Sequence, residues 1–340
     1  MYGRAAAFRR AWYGRRPDRV RRLDRPVISV GNLVVGGSGK TPLVATLARL
    51  LAAAGERPAI LSRGYGRRER PDGVVVVSDG ERLLAPPTRS GDEPYMLACS
   101  LPGVPVFVSP DRHLAGRLAE RHFTCTVHLL DDGFQHLQLA RDIDLVVISR
   151  ADLDERLLPA GRLREPLAAA RAADALLVPG GEGDMEAVRQ RIGVDTAFRV
   201  STYVHAPRLL SEPAGVELQI APGSRPVVAV AAVARPARFF AALRAQGWEV
   251  ARELVFRDHH WFTERDIAAI ERAAFEAGTN LVITTEKDAV RLSEAHVKHE
   301  AAPLWAVLPL ELVVEPGDRF VSWLAGRLAA ARRRRIEAAA

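Results

Sequence analysis

The stretch Gly36-Gly37-Ser38-Gly39-Lys40-Thr41-Pro42 constrains this chain more than any other. It follows a short apolar run, Val27-Ile28-Ser29-Val30, and it precedes a helical pattern that opens near Pro42. Strand, glycine-rich turn and helix in that order read as the phosphate-binding loop of a nucleoside triphosphatase. Backbone N–H groups of such a turn wrap an anion, and the positive end of the following helix points at it. Lys40 would reach the β- and γ-phosphates, and Thr41 would offer a hydroxyl to Mg²⁺. The spacing is unusual, because Val34 stands where the common pattern has its first glycine and the turn's glycines are Gly36, Gly37 and Gly39.

Apolar runs alternate with helical patterns through the first half. The strand-like runs are Val27–Val30, Ala59–Ser62, Val74–Val77, Val106–Val108, Thr126–Leu130, Leu145–Ser149 and Ala175–Val178, with helices expected at Leu43–Ala54 and Glu93–Cys99. That alternation predicts an α/β fold with a doubly wound parallel sheet of the P-loop NTPase-like kind. Ligands on such sheets bind beyond the carboxyl ends of the strands. Composition loosens near Gly180–Gly183, a polar strand-like stretch follows at Phe198–Val204, and a Pro/Gly-rich piece runs from Pro207 to Pro226. The expected division is a basic N-terminal segment (1–25), a P-loop domain (26–195), a linker (196–226) and a second, smaller α/β lobe (227–335). Phe320–Arg333 reads as the closing helix of that lobe.

The 340 residues carry a formal charge of +7. Such a balance favours anionic partners without choosing among nucleic acid, acidic lipid and phosphorylated small molecules. The arginines gather at the two ends and around Arg63–Arg70, away from any groove-reading helix, which argues against a nucleic-acid ATPase. Two cysteines, Cys99 and Cys125, make no disulfide framework and are expected as small apolar core residues in a reducing compartment. No run of 18 apolar residues predicts a membrane span. The first 25 residues hold nine arginines interleaved with Tyr2, Phe8, Trp12 and Tyr13. That segment reads equally as a basic helix lying on a membrane surface or as a helix packed on the domain with a solvated basic face.

Four further segments could carry chemistry. Asp131-Asp132-Gly133 follows the apolar run Thr126–Leu130, where a P-loop enzyme holds Mg²⁺; a strand-to-turn cap is the plainer reading. Asp92, in Gly91-Asp92-Glu93-Pro94, reads either as a helix N-cap or as a base that takes a proton from an acceptor hydroxyl. Asp258-His259-His260-Trp261-Phe262 reads as a polar loop around a buried Trp261, or as the seat of a base or its partner. Thr285-Glu286-Lys287-Asp288 superficially suggests the guanine-reading signature of GTPases, but that signature needs a residue between the lysine and the aspartate; ion pairing or a helix cap is the plainer reading.

Taken together, these segments resemble the tetraacyldisaccharide 4′-kinase family. The resemblance rests on Val30–Pro42, Ser62-Arg63-Gly64-Tyr65-Gly66, Gly91–Pro94, Asp131–His136, Leu158–Pro166, Phe256–His259 and Thr285–Asp288, in family order over nearly the whole chain. It implies ATP- and Mg²⁺-dependent phosphorylation of the 4′-hydroxyl of an acylated glucosamine disaccharide 1-phosphate. It also implies peripheral attachment to an anionic membrane surface, the cytoplasmic face of the bacterial inner membrane, with no obligate protein partner. By the resemblance Asp92 is the base with His259 as its partner, and Lys40 acts on the phosphates. Thr41, Asp131, Asp132 and Glu165 would serve Mg²⁺. Arg63, Tyr65 and Arg164 would contact phosphate or the substrate head group. The competing reading from the residues alone is a P-loop GTPase switch of the metallochaperone type.

Overall fold

A computed structural model describes residues 2–37, 39–210, 217–292 and 303–339. The chain divides into two compact units, Met1–Thr202 with Leu312–Ala340, and Tyr203–Glu311.

In the first unit α1 (Tyr2–Gly14) leads to β1 (Val27–Asn32) and α2 (Lys40–Ala53). There follow β2 (Pro58–Ser62), β3 (Val75–Ser78), α3 (Pro87–Ser90), α4 (Asp92–Ser100), β4 (Val106–Val108) and α5 (Arg112–His122). Then come β5 (Val127–Asp131), β6 (Ile143–Val147), β7 (Ala175–Pro179), α6 (Glu182–Ile192) and β8 (Ala197–Val204). The second unit holds β9 (Arg208–Leu209), β10 (Val227–Ala231), α7 (Pro236–Ala245), β11 (Val250–Val255) and α8 (Glu264–Glu276). It continues through β12 (Leu281–Thr285), α9 (Glu286–Ala289) and β13 (Leu304–Leu308), after which β14 (Leu310–Glu315) and α10 (Gly317–Ala339) follow.

Nine strands form the first sheet in the order β14-β8-β7-β6-β1-β5-β2-β4-β3. Its inner pairs are parallel, and β3 runs antiparallel at one edge. Every residue of β1, β2, β5 and β6 is buried, as expected of parallel strands covered on both faces. Ile28 and Val30 pack with Leu43, Val44 and Leu47 of α2, while Val27 packs on the opposite face with Ala115 and Ala119 of α5. The register pairs Val30 of β1 with Asp131 of β5, so the glycine turn and the paired aspartates leave the sheet side by side. The second sheet has the order β11-β10-β12-β13-β9 and is parallel except for β9.

Several expectations are corrected. The strand-like stretch Phe198–Val204 is a strand, Ala197–Val204, but residues 196–226 are not simply a linker: that strand belongs to the large sheet and Arg208–Leu209 is an edge strand of the small one; residues 211–216 lie outside the described residues. The closing helix does not belong to the second lobe. Phe320, Leu324 and Leu328 of α10 are buried in the core of the first unit, with Phe320 edge-on to Phe198 at 5.0 Å. Cys125 is buried as expected, but Cys99 is exposed.

Candidate active site

The phosphate loop owes its shape to Gly39, which caps α2 from the left-handed region at φ +80°. A side chain there would be strained, whereas glycine adopts it freely. Helix α2 therefore begins at Lys40, two residues before Pro42. Its first-turn N–H groups have no intrahelical partner, which suits an anion. Thr41, in that first turn, is buried. Ser38 lies outside the described residues.

The approach to the loop is clamped by 162–164. The backbone N–H of Val35 donates to Arg162 O at 2.9 Å, and that of Arg164 donates to Leu33 O at 2.6 Å. Val34 bridges Leu163 in antiparallel fashion. The Leu158–Pro166 segment, which the sequence linked to this chemistry only by resemblance, is thus joined to the loop by an isolated β-bridge and two backbone hydrogen bonds.

Five side chains close a ring beside it. Lys40 Nζ donates to Asn32 Oδ1 at 3.0 Å and lies 3.4 Å from Asp132 Oδ1. Arg164 Nη1 donates to both Asp132 oxygens, at 3.1 and 2.8 Å, and reaches Gln135 Oε1 at 3.4 Å. Gln135 Nε2 returns to Asn32 O at 2.8 Å. Burial opposes ionisation of Asp132, but Lys40 and Arg164 outweigh it and hold its carboxyl below the usual range.

Asp131 lies in a different environment. Burial pushes its carboxyl up to about 7, and the negative charges of Glu93 and Asp132 add to that, with Lys40 opposing. Ser62 Oγ donates to its Oδ2 at 3.3 Å, while its buried Oδ1 has no hydrogen-bond partner among the described residues. A dry, half-satisfied carboxylate beside a phosphate loop is a place for a cation.

Asp92 is buried, but it is not the N-cap. Gly91 caps α4 and Asp92 is its first helical residue, with Oδ1 accepting from the Glu93 N–H at 3.0 Å. Arg63 and Tyr65 are exposed in the loop after β2. Glu165 is buried and committed to Arg10 of α1, whose Nε and Nη2 reach one carboxylate oxygen at 3.1 and 2.7 Å. It therefore does not join a carboxylate cluster. Among the described residues no group of three or more His, Cys, Asp or Glu is arranged to hold a metal. Magnesium sites of phosphate-handling enzymes need few protein carboxylates, because substrate phosphates supply ligands. Arg10 also stacks over the Phe134 ring at 4.3 Å, and Arg9 Nη1 donates to Gln135 O at 2.9 Å. Helix α1 is packed on the domain, yet Phe8 is 70% exposed.

In the second unit His259 follows β11 at φ +61°. Its N–H donates to Ala232 O at 3.2 Å, and its Nε2 lies 3.3 Å from Lys287 Nζ. Phe262 is buried there, and Trp261 only half so. Asp132, at φ +52°, and His259 are the two non-glycine residues with positive φ among the described residues. Such backbone strain gathers at functional positions. Sequence reasoning missed Asn32 and Gln135 as site residues, and it read Lys287 only within a segment of local ion pairing or a helix cap. The signal for Asn32 was its place between strand and glycine turn.

A phosphate loop after the central strand of a parallel sheet, with a cation–carboxylate ring beside it, defines a P-loop nucleotide-dependent phosphotransferase. The family described as tetraacyldisaccharide-1-P 4′-kinase (LpxK) matches residues 1–329, and the chain belongs to it. A tetraacyldisaccharide 4′-kinase of Geobacter sulfurreducens is 41% identical over 299 residues, 87% of this chain and 83% of the relative. One of Anaeromyxobacter sp. strain K is 44% identical over 301 residues, 86% of this chain and 79% of the relative. The solved "apo" form of LpxK from Aquifex aeolicus, in complex with ATP, matches with a TM-score of 0.77 and 32% identity, covering 96% of each chain. By family the chain is an ATP-dependent kinase of lipid A biosynthesis, and nothing in these likenesses supports the GTPase alternative.

Proposed function

We propose that this chain transfers the γ-phosphate of ATP to the 4′-hydroxyl of an acylated glucosamine disaccharide 1-phosphate, at the cytoplasmic face of the inner membrane. The observation that carries the reading is the ring that sets Lys40 between Asn32 and Asp132 at the mouth of the glycine turn. Lys40 meets the charge that develops on the transferred phosphoryl group, where a preorganised cation lowers the barrier most. The glycine turn, Gly36 to Gly39 with Ser38, cradles the phosphates.

Thr41, Asp131 and Asp132 are the groups that hold Mg²⁺, and the half-satisfied, buried Asp131 fits that use. Held by these residues, Mg²⁺ would supply positive charge against the phosphates. Arg164 fixes Asp132, and Glu165 secures the same segment to α1 through Arg10. Asp92 accepts the proton of the attacking hydroxyl, a poor nucleophile near neutrality. His259 serves as the partner of that base. Arg63 and Tyr65, exposed beside the site, receive the anionic head group.

The acyl chains of such a substrate stay in a bilayer, so the enzyme meets it at the surface. Among the described residues no helix is long and apolar enough to cross a membrane. The exposed Phe8 of α1 and the exposed Arg15, Arg16 and Arg19 that follow the helix suit an anionic leaflet.

The test is transfer of ³²P from γ-labelled ATP to a purified acylated disaccharide 1-phosphate in detergent micelles. Mg²⁺-dependent labelling of the lipid is expected. Asp92→Asn should lower turnover by roughly 10²–10⁴-fold with ATP affinity kept. Unchanged turnover would remove Asp92 from the base role, and unlabelled lipid would remove the substrate assignment.

A further inference from the structure

We propose that Lys287 is a positioning residue that fixes the tautomer of His259, leaving the ring proton on Nδ1. The inference rests on His259 as the partner of the base, and it gives Thr285-Glu286-Lys287-Asp288 a function that its sequence did not disclose.

An ammonium group only donates hydrogen bonds. Lys287 Nζ lies 3.3 Å from His259 Nε2, so Nε2 is the accepting nitrogen and the neutral ring carries its proton on Nδ1. The Asp258 carboxylate lies 3.5 Å from the same ammonium and 3.9 Å from His259 Nε2. The ammonium, the carboxylate oxygen and the ring nitrogen thus form a compact triangle in which Lys287 is the cation that both acceptors face. Without the ammonium, Asp258 is the acceptor left beside Nε2, and it would draw the ring proton there.

The backbone supports the same assignment. Asp288 is fully buried; it accepts from the Ala232 N–H at 2.9 Å and from Thr285 Oγ1 at 2.8 Å, and it is paired with Arg291. Ala232 O in turn accepts the His259 N–H. Successive helical residues point about 100° apart. With no spacer between them, Asp288 turns inward to hold Ala232 while Lys287 reaches the ring on the same loop.

The direct measurement is ¹⁵N NMR of the full chain labelled at histidine, with His259→Gln assigning the resonance among the nine histidines. The wild-type ring should be protonated at Nδ1. Lys287→Met should move the proton to Nε2, and Lys287→Arg, which keeps a donor, should keep it on Nδ1. An unchanged tautomer in Lys287→Met overturns the proposal.

Kinetics supply the second reading. Lys287→Met should lower kcat by roughly 10–100-fold, as loss of an outer partner of a functional histidine does, with KM for ATP unchanged. Added to His259→Ala, it should cost nothing more; additive losses overturn the proposal. If His259→Ala alone leaves turnover intact, the base-partner reading fails, while the NMR result still decides whether Lys287 holds the ring.

Discussion

Asp131 and Asp132 share a peptide bond and are pushed in opposite directions by their surroundings. Asp132 turns into a ring of donors, held by Lys40 at 3.4 Å and Arg164 at 2.8 Å. Asp131 ends β5 in a dry position with one hydroxyl for company. The left-handed backbone at Asp132 turns the second carboxylate away from the first. A carboxylate poised low and another poised near neutrality, side by side, suit a site that must accept a cation together with a polyanion.

Asp131 makes the apo protein sensitive to pH. Its carboxyl is raised from 3.8 to about 7, so the native state binds a proton that the unfolded chain releases. The associated stability is fully present below about pH 4 and is lost as pH rises through about 7. Asp131→Asn removes that loss. In urea unfolding its advantage over the parent should grow by about 2 kcal/mol between pH 5 and 8. A constant difference would show that Asp131 ionises freely.

Lys40→Ala removes the cation of the ring and the link between Asn32 and Asp132. ATP affinity and turnover should both fall, turnover by about 10²–10³-fold. Titration calorimetry with ATP and the lipid-labelling assay separate the two. Retained affinity with lost turnover would confine Lys40 to the transition state.

How far the sequence discloses this site depends on whether a residue acts locally. The glycine turn, Lys40, Thr41 and the paired aspartates were legible because strand, turn and helix are contiguous and their physics is local. The parallel core was legible for the same reason, as β1, β2 and β4 fell within a few residues of their runs. The ring was not, because Gln135 and Asn32 meet only after β1 and β5 pair. Arg10 was hidden too: nothing in a row of nine arginines marks the one that reaches Glu165, 155 residues away. Helix α10 misled, since its place in the chain suggests the second unit, whereas its apolar face packs on Phe198.

Arg10 ties the N-terminal helix to the segment that holds Asp132. Arg10→Ala would leave Glu165 as a buried carboxylate without its counter-charge, at a cost of about 2–3 kcal/mol. Adding Glu165→Gln should recover part of that loss, because the neutral amide needs no counter-charge. A double-mutant cycle by thermal unfolding measures the coupling. Additivity would mean that the ion pair does not hold α1 in solution.

Gly31 is the point where β1 passes beneath the aspartate turn. A Cβ there would lie 2.3 Å from Phe134 Cβ and 2.8 Å from Phe134 N. Phe134 is fully buried, and it belongs to the same turn as Asp131, Asp132 and Gln135. Gly31→Ala must therefore shift that turn, at about 1–3 kcal/mol for overpacking. Truncating Phe134 cannot relieve it, because the clash is with a Cβ and a backbone nitrogen that alanine retains. The shift moves Asp132 against Lys40 and Arg164, so turnover per folded molecule should fall as well as stability. The check is turnover in Gly31→Ala and Gly31→Ala/Phe134→Ala at a temperature where both are folded by circular dichroism. Wild-type turnover in either would mean that the turn absorbs the methyl group without moving its carboxylates, and that the ring does not depend on how closely β1 and Phe134 approach.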